Sequence, residues 1–154
     1  MDLLDLIGLE GIVPVLSAKT KQQAIRELAH RAAAVTGAGE AEIVAVLTER
    51  ERAGSTGVGG GVAIPHGTMK SLDRIYGVFA RLPRPIDYDA IDEQPVDLLF
   101  LLLAPENAGA EHLKALARIA RLFRAPDVAT KLRAAADTAA LYAVLAAEAR
   151  PDAA

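Results

Sequence analysis

The sequence predicts an α/β domain in which a mixed β-sheet is flanked by helices on both faces. Three observations predict it. Helical periodicity occupies both ends of the chain, short β-type runs occupy the middle, and the run from Val96 to Leu103 is apolar almost without interruption. A strand of that kind is covered on both faces rather than wetted on one. The order helix, helix, strands, helices is too irregular for a repeating βαβ unit, so the sheet is read as mixed. At 154 residues the chain suits one domain, able to bury about two-thirds of its unfolded surface. No repeat or linker divides it, and residues 1–154 are read as a single domain.

The elements follow in order. Thr20 and Gln23 have capping-box spacing, and Ile25, Leu28, Ala29 and Ala32 recur at helical intervals up to Gly37, which predicts a helix over about 20–36. A second helix is expected over about 40–52, with Ile43, Val44 and Leu47 inward and Gly54 as its stop. Gly54 to Gly61 reads as a loop with five glycines and two hydroxyls, Ser55 and Thr56. Beyond it, 62–64, 75–82 and 96–103 read as strands bounded by Gly, Pro or Asp, with Asp97 the exception in the last. Helices are expected again over about 110–124, 126–135 with Pro126 in the first turn, and 138–148 after Asp137 as cap. The tail Arg150 to Ala154 is expected to fray.

Composition removes several function classes. Hydrophobic residues make up 52% of the chain and charged residues 24%, ordinary for a folded α/β protein. A net charge of -3 without a basic run gives no general attraction to nucleic acid or anionic lipid. There is no Cys, which excludes disulfides, thiolate metal clusters and a Cys nucleophile. Asp2, Asp5 and Glu10 interrupt the apolar N-terminus, and the run from Leu98 to Ala104 is far short of a membrane span. A soluble cytoplasmic protein without membrane insertion is expected.

The three histidines separate by context. His30 falls on the polar face of its helix beside Arg26 and Glu27, where a solvated residue is expected. His66 follows the strand 62–64 between Pro65, which stiffens the approach, and Gly67, which removes bulk beside the ring. A histidine that only filled space would more often sit among apolar residues on a regular element. His112 lies in the first turn of its helix at the margin of the apolar stripe. Either it is a half-buried ring bonded to a backbone carbonyl, or it donates to an anion held near the helix N-terminus. Arg50 is turned inward just before the Gly-rich loop, where a structural salt bridge and a cradle for a tetrahedral dianion are both open readings. The loop is not a Walker A sequence, does not complete GxGxxG, and Ser55 is not in a GxSxG elbow. A zinc site from His66, His112 and a carboxylate such as Glu111 has no supporting ligand pattern. No metal and no cofactor are expected.

Read together, Arg50-Glu51, Gly54-Ser-Thr-Gly57, Gly61-Val-Ala-Ile-Pro-His-Gly67, Asp89 to Phe100 and Glu111-His-Leu113 resemble the IIA components of the bacterial phosphoenolpyruvate phosphotransferase system, mannitol/fructose class. Within that class the nitrogen-related IIA proteins are the most similar. The resemblance covers about residues 3–145. It implies a mixed sheet flanked by helices and a phosphoryl group carried on His66, on Nε2 by analogy. It also implies His112 as second active-site histidine, and Arg50 with the loop residues Ser55, Thr56 and Gly57 and with Gly67 as phosphoryl contacts. An HPr-like phosphocarrier is the implied donor. Potassium transporters or sensor kinases are the implied regulatory targets, and a membrane sugar permease subunit is the alternative acceptor.

Overall fold

The computed structural model describes residues 3–149, so the expected frayed tail lies outside the described residues. Two short 3-10 turns, Leu3–Asp5 and Leu9–Gly11, precede a two-residue strand β1, Ile12–Val13. Helices α1 (Lys21–Thr36) and α2 (Glu40–Arg52) come next. The strands are β2 (Gly57–Gly59), β3 (Val62–Ala63), β4 (His66–Met69), β5 (Tyr76–Ile86) and β6 (Val96–Pro105). Helices α3 (Ala110–Arg124), α4 (Pro126–Ala134) and α5 (Thr138–Ala149) close the described chain.

The helix ends follow the expected local chemistry. Thr20 accepts from the Gln23 amide at 3.1 Å, and Gly37 ends α1 in the left-handed region at φ 79°. The Gln23 side chain reaches back one residue further than a capping box requires, accepting from the Lys19 amide at 2.8 Å. Asp137 accepts from the Ala140 amide at 2.9 Å and so caps α5.

The strand order is β1-β5-β6-β3-β2, with β4 also paired to β6, and the sheet is mixed: the pairs β1–β5, β3–β6 and β4–β6 are parallel, and the pairs β5–β6 and β2–β3 are antiparallel. Both faces are covered, as the apolar run predicted. Leu99, Leu101 and Leu103 of β6 pack with Leu28, Ile43 and Leu47 of α1 and α2. Leu98, Phe100 and Leu102 alternate to the other face and pack with Ile119, Val128, Leu132, Leu141 and Leu145 of α3, α4 and α5. Asp97, the polar exception, holds Arg133 in a two-pronged pair at 2.8 Å on each prong, and Arg133 also donates to the Gly60 carbonyl at 2.9 Å.

The expected central strands are present, but three short ones were missed. β1 is only two residues long, too short to show a period. Part of the supposed loop, Gly57–Gly59, is a strand antiparallel to β3, and Gly59, Gly60 and Gly61 turn the chain at φ 103°, 66° and 81°. These left-handed angles explain the glycine run without a ligand. The third is β4. Val62 pairs with Leu98 and His66 with Leu102, so the register with β6 is the same before and after Ile64-Pro65. The proline lacks an N–H but keeps a carbonyl, which accepts from the Leu102 amide at 3.0 Å. His66 therefore opens the second half of an interrupted strand instead of following the end of a complete one.

Candidate functional site

His66 shares its strand parity with Val62 and Ile64, which face α3 to α5, whereas Gly67 faces α2. A Cβ on Gly67 would stand 2.2 Å from Val46 Cγ1. The glycine thus lets α2 approach β4 closely enough for Arg50, near the helix end, to reach the histidine. Arg50 Nε donates to His66 Nε2 at 3.2 Å, and Arg50 Nη1 donates to the Gly54 carbonyl at 2.9 Å. The other ring nitrogen, Nδ1, is 2.8 Å from the Ile64 carbonyl. A carbonyl only accepts, so Nδ1 carries the proton and Nε2 presents its lone pair. Burial, the largest influence, and the Arg50 charge hold His66 below the usual histidine value, while the Ile64 carbonyl and Glu51 act against them. The ring is neutral at neutral pH, with its nucleophilic nitrogen defined.

His112, in the first turn of α3, meets His66 edge to face with ring centroids 5.8 Å apart and planes at 75°. Its Nε2 is buried and has no hydrogen-bond partner among the described residues, so at that nitrogen the carbonyl-bonded reading does not hold. Burial first, and the neighbouring His66 second, lower its pKa as well. Arg50 makes no ion pair among the described residues, which leaves its charge uncompensated beside the two rings. His66, His112, Arg50 and Gly67 line one cleft of about 800 Å³, with Val46, Glu49, Ala53 and Thr68. His30 is elsewhere on the surface, its Nδ1 2.6 Å from Glu40.

Ser55, Thr56 and Gly57, expected to touch a phosphoryl group, are not part of the cleft wall. Both side-chain hydroxyls and the Thr56 and Gly57 amides are already engaged. Ser55 Oγ donates to the Tyr88 carbonyl at 2.9 Å and accepts from the Gly57 amide at 3.1 Å. Thr56, 4% exposed, gives its amide to Glu51 at 2.9 Å and its hydroxyl to the same carboxylate. The Gly60 amide goes to Asp92 at 3.0 Å. These bonds brace the loop against Glu51, Tyr88 and Asp92.

Sequence reasoning missed Thr68 on the cleft wall, and Lys21, Glu51 and Tyr88 behind the loop. Glu51 had a signal, its place next to Arg50 in the quoted pattern. Tyr88 had one too: a lone aromatic between Asp87 and Asp89 in a polar connection. Lys21 had none, because its contact spans thirty residues.

Residues 6–148 match the family described as phosphoenolpyruvate-dependent sugar phosphotransferase system, EIIA 2. The chain is 58% identical over 146 residues, 95% of each protein, to a nitrogen regulatory protein of Bradyrhizobium diazoefficiens. It is 39% identical over 100 residues, 65% of each chain, to a fructose-specific EIIA component of the phosphotransferase system in Haloferax volcanii. The crystal structure of the nitrogen regulatory protein IIA-Ntr from Neisseria meningitidis superposes with a TM-score of 0.87 at 33% identity, covering 92% of this chain and 97% of that one. His66, Arg50 and a second histidine with a buried Nε2 thus lie in a chain that matches the family model over residues 6–148 and the Bradyrhizobium relative over 95% of both proteins: the chain belongs to the EIIA type 2 family of the phosphotransferase system.

Proposed function

We propose that the protein is a phosphocarrier of the nitrogen branch, which accepts a phosphoryl group on His66 Nε2 from an HPr-like phosphohistidine carrier and regulates partner proteins according to its phosphorylation state. The observation that carries this reading is the pairing at His66: Nδ1 is held by a carbonyl, and Nε2 stands in the cleft with its lone pair toward the Arg50 guanidinium.

The chemistry follows from those contacts. Nε2 attacks phosphorus in line as the donor's N–P bond breaks, so one P–N bond replaces another and the transfer is reversible. The Nδ1 proton stays where it is. The Arg50 Nε–H, which donates to the Nε2 lone pair in the free protein, passes to a phosphoryl oxygen as that lone pair is consumed. In a loose transition state charge spreads over three equatorial oxygens, and fixed donors stabilise it without reorganising. Arg50 supplies one such donor and His112, with its unpartnered Nε2, a second.

Phosphorylation converts a neutral histidine into a phosphohistidine that places a dianion beside Arg50. That change of charge and hydrogen-bonding capacity is what a partner reads. Potassium transporters and sensor kinases are the proposed targets, and the cytoplasm the proposed site of action; among the described residues no helix is long and apolar enough to cross a membrane. The similarity to a fructose-specific EIIA component supports a second reading, a stand-alone fructose/mannitol-type IIA that passes phosphate to a sugar permease IIB subunit.

Incubation with phosphoenolpyruvate, enzyme I and an HPr-type carrier should add one acid-labile phosphoryl group by mass spectrometry, and His66→Ala should add none. Acceptance by His66→Ala would end the proposal. Onward transfer to a IIB protein would favour the sugar reading, whereas differential capture of partners by wild type and His66→Asp would favour regulation.

A further inference from the structure

Arg50 meets His66 correctly only if the Gly54 carbonyl stands where Arg50 Nη1 can reach it. The Gly54 amide donates to the Glu51 carbonyl at 3.1 Å, and its φ is 144°. Beyond Gly54 the segment is held by the Glu51 side chain. One carboxylate takes both the amide, at 2.9 Å, and the hydroxyl of Thr56. The Glu51 side chain is only 7% exposed, and Lys21 Nζ sits 2.9 Å from its Oε1. The same ammonium lies 4.6 Å above the Tyr88 ring. Tyr88 is fully buried, and its hydroxyl is 3.3 Å from Thr56 Oγ1. Burial first, and the Glu51 charge second, hold that phenol far above its ordinary value, so it stays protonated.

We infer that Glu51 is a positioning residue for phosphoryl transfer at His66, acting through Thr56 and the Gly54 carbonyl on the Arg50 guanidinium, with Lys21 as its counter-ion. The inference rests on the reading of His66 as phosphoryl acceptor. It has a geometric and an electrostatic side. Arg50 from α2, His112 from α3 and the Ile64 carbonyl face His66, and Glu51 acts on it through its charge from behind the loop; Lys21 from α1, Thr56 and Tyr88 face Glu51. Glu51 opposes Arg50 in setting the charge preference of the ring. Neutralising Glu51 therefore lowers the His66 titration further, and removing Lys21 raises it. These opposed shifts read the electrostatic side, and the Thr56 pair reads the geometric side.

The test uses the whole chain with Glu51→Gln, Lys21→Met, Thr56→Val and Thr56→Ser. Glu51→Gln is expected to slow phosphoryl acceptance from an HPr-type carrier at least about tenfold, because small misplacements of a catalytic group are costly. Thr56→Val should slow it in the same direction, and Thr56→Ser, which keeps the hydroxyl, should restore it. His66 titrations followed by NMR should shift down in Glu51→Gln and up in Lys21→Met. A wild-type rate in Glu51→Gln, equal rates in Thr56→Val and Thr56→Ser, or titration shifts of one sign would each overturn the inference. If Glu51→Gln does not fold, the Thr56 pair and Lys21→Met decide. If the wild-type protein takes no phosphoryl group at all, the phosphocarrier reading has failed, and the opposed titration shifts still decide whether Glu51 and Lys21 tune His66.

Discussion

Arg50 and Glu51 are adjacent at the end of α2, yet one faces the cleft and the other the support behind the Gly-rich loop. In the cleft hydrogen-bonding capacity is left over: His112 Nε2 has no partner among the described residues, His66 Nε2 has a lone pair, and the guanidinium has no carboxylate. Behind the loop the groups are matched to one another. Glu51 is matched by Lys21 and by both polar groups of Thr56, and Thr56 by Tyr88 as well. Unmatched buried groups cost stability, and satisfied networks hold geometry. The difference shows how the protein keeps donors ready for a charge that arrives only with phosphate: the satisfied side fixes the segment against which the unsatisfied side is aimed.

The largest expected break is His66→Ala. Phosphoryl acceptance should disappear, while the fold should survive because the ring is only half-buried and its lost bonds face the cleft. Mass spectrometry and a thermal melt read the two halves of that statement. Arg50→Lys comes next. Lysine keeps the charge but cannot bridge Gly54 and His66 at once, so the rate should fall about 100-fold, the usual cost of one preorganised transition-state donor. An unchanged rate would mean that charge alone suffices and that the support behind the loop has no aim to maintain.

Gly67→Ala should have a smaller effect that joins both sides. The new Cβ would stand 2.2 Å from Val46 Cγ1, and a β-branched side chain has few ways to yield. Overpacking of this kind costs about 1–3 kcal/mol. It should also push α2, and with it Arg50, away from His66. Chemical denaturation and the acceptance rate should therefore fall together in Gly67→Ala, and both should recover in part in the double variant Gly67→Ala/Val46→Ala. Loss of stability at an unchanged rate would separate the α2–β4 contact from the aim of Arg50.

Much of this was legible in the sequence, for physical reasons. The α1 and α2 boundaries came from capping chemistry and period, and β6 from a run with no polar face but Asp97. His66, His112 and Arg50, singled out from Pro65, Gly67 and helix position, come together in one cleft. What was not legible depends on pairing at a distance. The glycine run was read as a loop because its turn angles and hydrogen bonds exist only once β2 has folded onto β3. The resemblance implied Thr56 as a phosphoryl contact; its hydrogen bonds to Glu51 and Tyr88, five and thirty-two residues away, were not legible in the sequence. Lys21 could not be linked to Glu51 before α1 and α2 pack.

The smallest effect expected is that of pH, and it divides the two regions by sign. Both cleft histidines have folded-state pKa values below the ordinary value of about 6.5, chiefly through burial. The folded protein then binds fewer protons than the unfolded chain in mild acid. Their contribution to stability is present above about pH 6.5 and is lost as pH falls through the folded values. Denaturant midpoints measured from about pH 7.5 down to 5 should decline less in His66→Gln/His112→Gln than in the parent. Phosphoryl acceptance should hold level to a lower pH than free imidazole permits, since His66 stays neutral further into acid. Once a dianion is attached, the ordering reverses for the second ring: a negative charge beside His112 favours its protonated form, so its NMR titration should move upward in the phosphorylated protein. Behind the loop, Tyr88 stays protonated throughout that range. If the acid decline were the same in the double variant, the unsatisfied cleft would not be the part of this protein that responds to charge.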